Sequence, residues 1–161
     1  MINKNNIKFR KITCKEFDKL YHLFPEDYSS WIKYKSERLK ELKNNETDTY
    51  IIDNNGIFIG EITVNYKSHD LELETIANKR VYLQALRIDR QYQGQGLAQK
   101  LFEYIINDLK SKGYSEFTLG VEEDNYIAKH IYEKYGFNEA ICKGNGKNFD
   151  LDQYTLYLKK D

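Results

Sequence analysis

The residues whose types and spacing best suit chemistry are Gln91, Gly94 and Gly96. They lie in the run Leu86-Arg87-Ile88-Asp89-Arg90-Gln91-Tyr92-Gln93-Gly94-Gln95-Gly96-Leu97-Ala98. An apolar strand feeds a turn of amides and glycines, and an amphipathic helix follows. The first turn of a helix leaves backbone N–H groups unpaired and carries a partial positive charge. Gly94 and Gly96 remove the side chains that would keep an anion away from those groups. The run therefore reads as a phosphate cradle. A Walker loop needs Lys-Ser/Thr after its second glycine, where this chain has Leu97-Ala98. A dinucleotide fingerprint needs a third glycine, and that place is Gln99.

A second segment carries its own signal. In Asn125-Tyr126-Ile127-Ala128-Lys129-His130-Ile131-Tyr132-Glu133-Lys134-Tyr135-Gly136-Phe137, the residues Ile127, Ala128, Ile131, Tyr132 and Tyr135 recur at helical spacing. Asp124 or Asn125 can cap this helix, and Gly136 can end it in a left-handed turn.

The pattern Gln91-x-x-Gly94-x-Gly96 after a strand resembles the pyrophosphate-binding motif of the GNAT superfamily of N-acetyltransferases. Asn125-x-x-Ala128-x-x-x-Tyr132-x-x-x-Gly136-Phe137 is similar to the second acetyl-CoA motif of that family. The resemblance is specific from Val81 to Phe137 and looser elsewhere. It implies an α/β (α+β mixed) fold: a central mixed, mostly antiparallel twisted sheet of about seven strands, flanked by about four helices and splayed between strands 4 and 5. It implies a single domain over residues 1–161 and acetyl-CoA as cosubstrate. The acetyl group would pass directly to a primary amine of a small molecule or peptide, through a tetrahedral intermediate. The implied alternatives are a non-catalytic acyl-CoA-binding or regulatory module, and an enzyme acting on protein N-termini or lysines.

The resemblance also assigns residues. Backbone N–H groups of Gln93, Gly94, Gln95, Gly96, Leu97 and Ala98 would hold the pyrophosphate. Gln93 stands where the family more often has a basic residue, so it donates hydrogen bonds without adding charge. The pantetheine arm would pair with backbone at Leu86 and Ile88 in the manner of an added strand. An N–H near Arg87 or Ile88 would meet the oxyanion. Asn125 and Ala128 would contact the cofactor arm, and Tyr132 would protonate the leaving thiolate. The base has no such signature. Glu61, Glu72 and Glu74 are the candidates, Glu74 the favoured one, with water or self-deprotonation of the acceptor as alternatives. The connection His22–Tyr28 either borders the acceptor site, or caps a helix and packs. Tyr135 is read as packing, and His130 as facing solvent.

These residues need elements to position them. Ile7 to Ile12 alternates like a strand, Lys15 to Leu23 reads as a short helix, and Glu26 to Lys43 as a longer one. Asp48 to Asp53 and Ile57 to Lys67 form a hairpin about Asn54-Asn55-Gly56, with Phe58, Gly60, Ile62, Val64 and Tyr66 on one face. The segment Ser68 to Lys79 is polar and without a pattern. Arg80 to Asp89 is a strand. Gly94 to Lys112 is a helix with Leu97, Leu101, Ile105 and Leu109 stacked along one side. Strands follow at Ser115 to Val121, Phe137 to Lys143 and Gln153 to Lys159, with a loop at Asn145 to Asp150. The last strand, if exposed, would offer an edge for a homodimer.

Composition narrows the partners. Lys+Arg and Asp+Glu number 25 each in 161 residues, which gives no reason to expect nucleic acid or a membrane surface. Cys14 and Cys142 lie far apart with no metal-ligand spacing, so no metal is expected and both thiols are read as reduced. No apolar run approaches membrane length, and residues 1–6 lack the apolar centre of a signal peptide, so the expected location is cytoplasmic.

Overall fold

The computed structural model describes residues 4–68, 73–143 and 154–161. The expectations for residues 145–150, for Gln153 and for Glu72 lie outside these. Seven strands form one sheet in the order β1-β2-β3-β4-β5-β7-β6. The chain divides into two compact units, Met1–Val64 with Ala85–Ile105, and Asn65–Gln84 with Ile106–Asp161. The division falls within strand β4 (Arg80–Ile88).

The first unit opens with β1 (Ile7–Lys11), antiparallel to β2 (Thr47–Asn54) from Ile7↔Asn54 to Lys11↔Tyr50. Between them Cys14–Leu23 winds as a 3-10 helix, where an ordinary short helix was predicted. Helix α1 (Tyr28–Lys43) starts two residues later than the Glu26 predicted. The reason is Asp27, whose carboxylate accepts the Ser30 N–H at 2.9 Å as an N-cap and so stays outside the helix. Asn55 and Gly56 have φ of +52° and +93°, which turns β2 tightly into β3 (Ile57–Asn65). Every residue from Phe58 to Val64 is buried, so both faces of β3 are covered and not the one face its alternation suggested. Ile12, Phe17, Leu20, Trp31, Ile51 and Phe58 form the core beside β1 and β2, flanked by Leu23, Phe24, Tyr34, Leu39 and Leu42.

Helix α2 (Leu97–Ser111) buries Leu97, Leu101, Ile105 and Leu109, the stripe read from the sequence, and Phe102 beside it. It begins at Leu97 and not at Gly94. Gly94 and Gly96 both sit at φ +77°, outside the range of a right-handed helix.

In the second unit β4 runs parallel to β5 (Glu116–Glu122), but only from Arg80↔Glu116 to Leu83↔Leu119. This is the predicted parting of strands 4 and 5. Strand β5 continues against β7 (Tyr154–Lys160), antiparallel from Glu116↔Lys160 to Glu122↔Tyr154. Strand β6 (Glu139–Lys143) pairs with the other side of β7. The final strand is therefore interior and does not offer the edge considered for a homodimer: β6 takes the outer position. Strand β6 also starts later than expected, because Phe137 is spent on packing. Phe137 is 1% exposed, with its ring edge-on to Tyr132 at 6.4 Å. Among the described residues no helix is long and apolar enough to cross a membrane.

Candidate active site

Strand β4 changes character halfway along. Arg80 to Leu83 are buried; Gln84 to Ile88 are half-buried. The change coincides with the end of the ladder to β5 at Leu83. Two residues on, Ala85 has φ +58°, a left-handed conformation that costs a side-chain-bearing residue about 1–2 kcal/mol. Such a residue interrupts the extended backbone of the strand. Leu86, Arg87 and Ile88 thus lie beyond both Ala85 and the end of the β5 ladder.

The turn after β4 is braced on the strand. The Asp89 N–H donates to the Ile59 carbonyl at 2.8 Å, and Asp89 Oδ1 accepts the Gln91 N–H at 3.0 Å. The Gln93 side chain donates its amide to the Ile88 carbonyl at 3.0 Å, so it holds the turn against β4. Gly94 and Gly96 follow, and a Cβ added at either would meet nothing within 4 Å. The first turn of α2 contains no acid to oppose an anion. Left-handed glycines, open space above them and a helix N-terminus are what a phosphate requires.

Beside this turn lies a cavity of about 520 Å3, lined by residues 22–25, residues 86–90 and Gln93. The connection between the 3-10 helix and α1 therefore does border a cavity, while Asp27 and Ser30 perform the helix cap that was the other reading. Arg87 is the most constrained residue on the wall. Its guanidinium lies 5.4 Å from the ring centres of both Phe24 and Tyr34. Its Nη1 donates to Glu61 Oε1 at 2.7 Å. Glu61 is 1% exposed, and burial pushes its carboxyl up to about 7, against the pull of Arg87 and Arg38. Burial works against the Arg87 charge too, but Glu61 and Tyr34 outweigh it and keep the guanidinium protonated. His22 Nε2 lies 3.9 Å from Asp89 Oδ2 on the same cavity wall.

The second unit holds the other predicted residues. Asn125 accepts the Ala128 N–H at 3.1 Å and caps helix α3 (Tyr126–Lys134). The predicted apolar stripe is only partly correct. Ala128, Tyr132 and Tyr135 are half-buried, but Ile127 is 77% exposed and Ile131 39%. The inward line follows the i, i+4, i+7 spacing, and Ile127 falls off it. The Tyr132 hydroxyl is held above its ordinary pKa, first by burial and then by Tyr135, so it is protonated at neutral pH. Glu74 is buried at 1% exposure. Its carboxylate accepts the Ser68 hydroxyl, and its carbonyl accepts the Thr118 hydroxyl at 2.7 Å. The second bond ties the segment before β4 to β5.

The profile of the acetyltransferase (GNAT) family matches residues 17–137. The chain belongs to the GNAT acetyltransferase family. Its GNAT match spans the cavity wall, the glycine turn and α3. Among curated relatives, the ribosomal protein bS18-alanine N-acetyltransferase of Escherichia coli K12 is 32% identical over 85 residues, 53% of this chain and 57% of that protein. N-alpha-acetyltransferase 30 of Schizosaccharomyces pombe is 34% identical over 80 residues, 48% of this chain and 53% of that one. This GNAT chain thus spans little more than half the length of the curated relatives it matches. Similarity to solved structures covers more of the chain. The PaiA N-acetyltransferase of Thermoplasma acidophilum in complex with coenzyme A has a TM-score of 0.71 at 21% identity, covering 96% of this chain and 99% of that one. The E. coli ribosomal-protein-S18-alanine N-acetyltransferase has a TM-score of 0.68 at 19% identity, covering 96% and 93%. At those identities the structures establish the GNAT fold.

In this GNAT chain the first unit brings Leu86, Arg87, Ile88 and Gln93 onto one cavity wall, and Gly94 to Ala98 continue from it. Asn125, Ala128 and Tyr132 are gathered on α3. Sequence reading missed the Phe24–Arg87–Tyr34 packing and the partnership of Arg87 with Glu61. No local signal marks either, because the partners come from three separate elements.

Proposed function

We propose that this protein is an N-acetyltransferase that transfers the acetyl group of acetyl-CoA directly to a primary amine. The observation that carries the reading is the sequence of features at the end of β4: Ala85 in a left-handed conformation, three residues beyond the β5 ladder beside a cavity, and a left-handed glycine turn opening α2. Acetyl-CoA supplies an activated thioester carbonyl. The chain's own residues do the rest. N–H groups from Gly94 to Ala98 bind the pyrophosphate by hydrogen bonds and the helix-end field. Main-chain groups of Leu86 and Ile88 align the pantetheine arm. A backbone N–H near Arg87 or Ile88 stabilises the oxyanion of the tetrahedral intermediate. Tyr132 gives its proton to the departing thiolate.

The acceptor class is a primary amine. The names of the curated relatives make the α-amino group of a protein N-terminus, alanine first among them, the first acceptor to try. The test is calorimetric titration with acetyl-CoA, with 3′-dephospho-CoA and ATP as controls. Thiol release is then followed with an alanine-starting peptide, a lysine peptide and spermidine. Saturable acetyl-CoA binding with amine-dependent thiol release is the expected result. A folded protein that ignores acetyl-CoA overturns the reading, and one that binds it but acetylates none of these amines is the acyl-CoA-binding module instead.

A further inference from the structure

The acceptor amine is an ammonium at neutral pH and must lose a proton before it can attack a thioester, yet neither motif supplies a base. The cavity wall does. Among the described side chains that line it, the ionisable ones are His22, Arg87, Asp89 and Arg90. Two of these four are arginines, which never give up their protons in a protein. Asp89 has one carboxylate oxygen occupied by the Gln91 N–H at 3.0 Å. His22 remains. Its side chain is 42% accessible, and its Nε2 stands 3.9 Å from the other Asp89 oxygen.

We propose that His22 is the general base of the reaction and Asp89 its positioning residue; this rests on the acetyltransferase reading above. Imidazole is the side chain that takes up and releases a proton around neutral pH. His22 accepts one N–H proton from the ammonium and passes it to solvent. The freed lone pair forms the C–N bond. The nitrogen then gives its second proton to solvent, the oxyanion re-forms the carbonyl, and the C–S bond breaks with its electron pair on sulfur, which takes the Tyr132 proton to become the thiol; Tyr132 is reprotonated from solvent. Asp89 at 3.9 Å attracts the transient imidazolium, a role its distance suits better than a permanent hydrogen bond.

Several charged neighbours of this pair have contacts of their own. From β4 and the turn beyond it, the charged groups facing the cavity are Arg87, Asp89 and Arg90. Arg87 is committed to Glu61 at 2.7 Å. On the segment that carries His22, Asp18 pairs with Lys35 at 2.6 Å, and Lys19 lies 5.1 Å from the centre of the Phe58 ring.

The experiment follows thiol release from acetyl-CoA with the best of the three amines, between pH 5.5 and 9, in wild type, His22→Gln, His22→Ala and Asp89→Asn. Acetyl-CoA affinity is measured calorimetrically in each. His22→Gln is expected to bind acetyl-CoA within about twofold of wild type. It should lose on the order of 10²-fold or more in kcat at neutral pH, and also lose the acidic limb of the wild-type profile. Added imidazole should restore much of the rate to His22→Ala, and Asp89→Asn should be slowed less than His22→Gln. A His22→Gln enzyme within threefold of wild type across the range, or one slowed equally at every pH with no imidazole rescue in His22→Ala, overturns the assignment. Wild-type protein that binds acetyl-CoA but acetylates none of the amines overturns the acetyltransferase reading and this inference with it, whereas an active wild type with an unchanged variant overturns only the inference.

Discussion

Arg87 on β4 and Glu61 on β3 meet at 2.7 Å, with Glu61 1% exposed and Arg87 on the cavity wall. The pair sets the wall's charge at a cost, since burial raises the Glu61 carboxyl from 4.5 to about 7. A carboxyl whose folded pKa lies above its unfolded value holds its proton longer in the folded state. Its contribution to stability then falls as pH rises through that window. Wild type should lose on the order of 2–3 kcal/mol from this group between about pH 4.5 and 7. Glu61→Gln keeps an acceptor for Arg87 without the titration. Urea unfolding of both proteins across the window should give a difference that opens toward high pH, with Glu61→Gln the more stable above about pH 7. Parallel stability curves would show that the Glu61 carboxyl does not titrate there.

Glu16 works with the opposite sign. Its oxygens accept Arg10 Nη1 and Nη2 at 2.9 and 2.6 Å, and the Thr13 N–H at 3.0 Å. The Arg10 hydrogen bonds hold its carboxyl down at about 2, despite partial burial. The resulting stability is fully present above pH 4.5 and is lost as pH falls toward 2. Glu16→Gln should cost about 1–3 kcal/mol at pH 7 and progressively less toward pH 2. Thermal melts at pH 7 and pH 3 should show the deficit narrowing at the lower pH.

Gly96→Val should remove acetyl-CoA binding while leaving a folded protein. A Cβ at Gly96 meets nothing within 4 Å, so packing does not suffer. The strain comes from φ +77°, worth about 1–3 kcal/mol, and the branched side chain fills the space above the turn. Calorimetry should show at least a tenfold loss of affinity, with the far-UV spectrum retained. Unchanged affinity would mean the phosphates bind elsewhere.

Tyr132→Phe should separate binding from chemistry. Its hydroxyl is kept protonated by burial and by Tyr135, which suits a donor to a thiolate. Acetyl-CoA affinity should stay within about threefold while kcat falls about 10²-fold. An unchanged kcat would leave Tyr132 as a packing partner of Phe137.

The two motifs were legible in the sequence because each is written in local backbone demands. Gly94 and Gly96 are glycines because φ is +77° there, and Asn125 precedes α3 because it caps it. The strand order was not legible. Alternation tells which face of a strand is buried but not which strands flank it, so the place of β7 stayed open until the fold set it between β5 and β6. The cavity wall needed the tertiary structure for the same reason. His22 and Asp89 are separated by more than sixty positions, and Glu61 and Arg87 by 26. Short-range pattern located the helices, though not their exact starts or the 3-10 winding of Cys14–Leu23, and it marked the glycine turn and the family. Long-range packing decided which charged residues stand together: Glu61 is buried against Arg87, Glu74 against Ser68, and His22 faces the cavity with Asp89. Burial and charge pairing depend on neighbours that only the folded chain supplies.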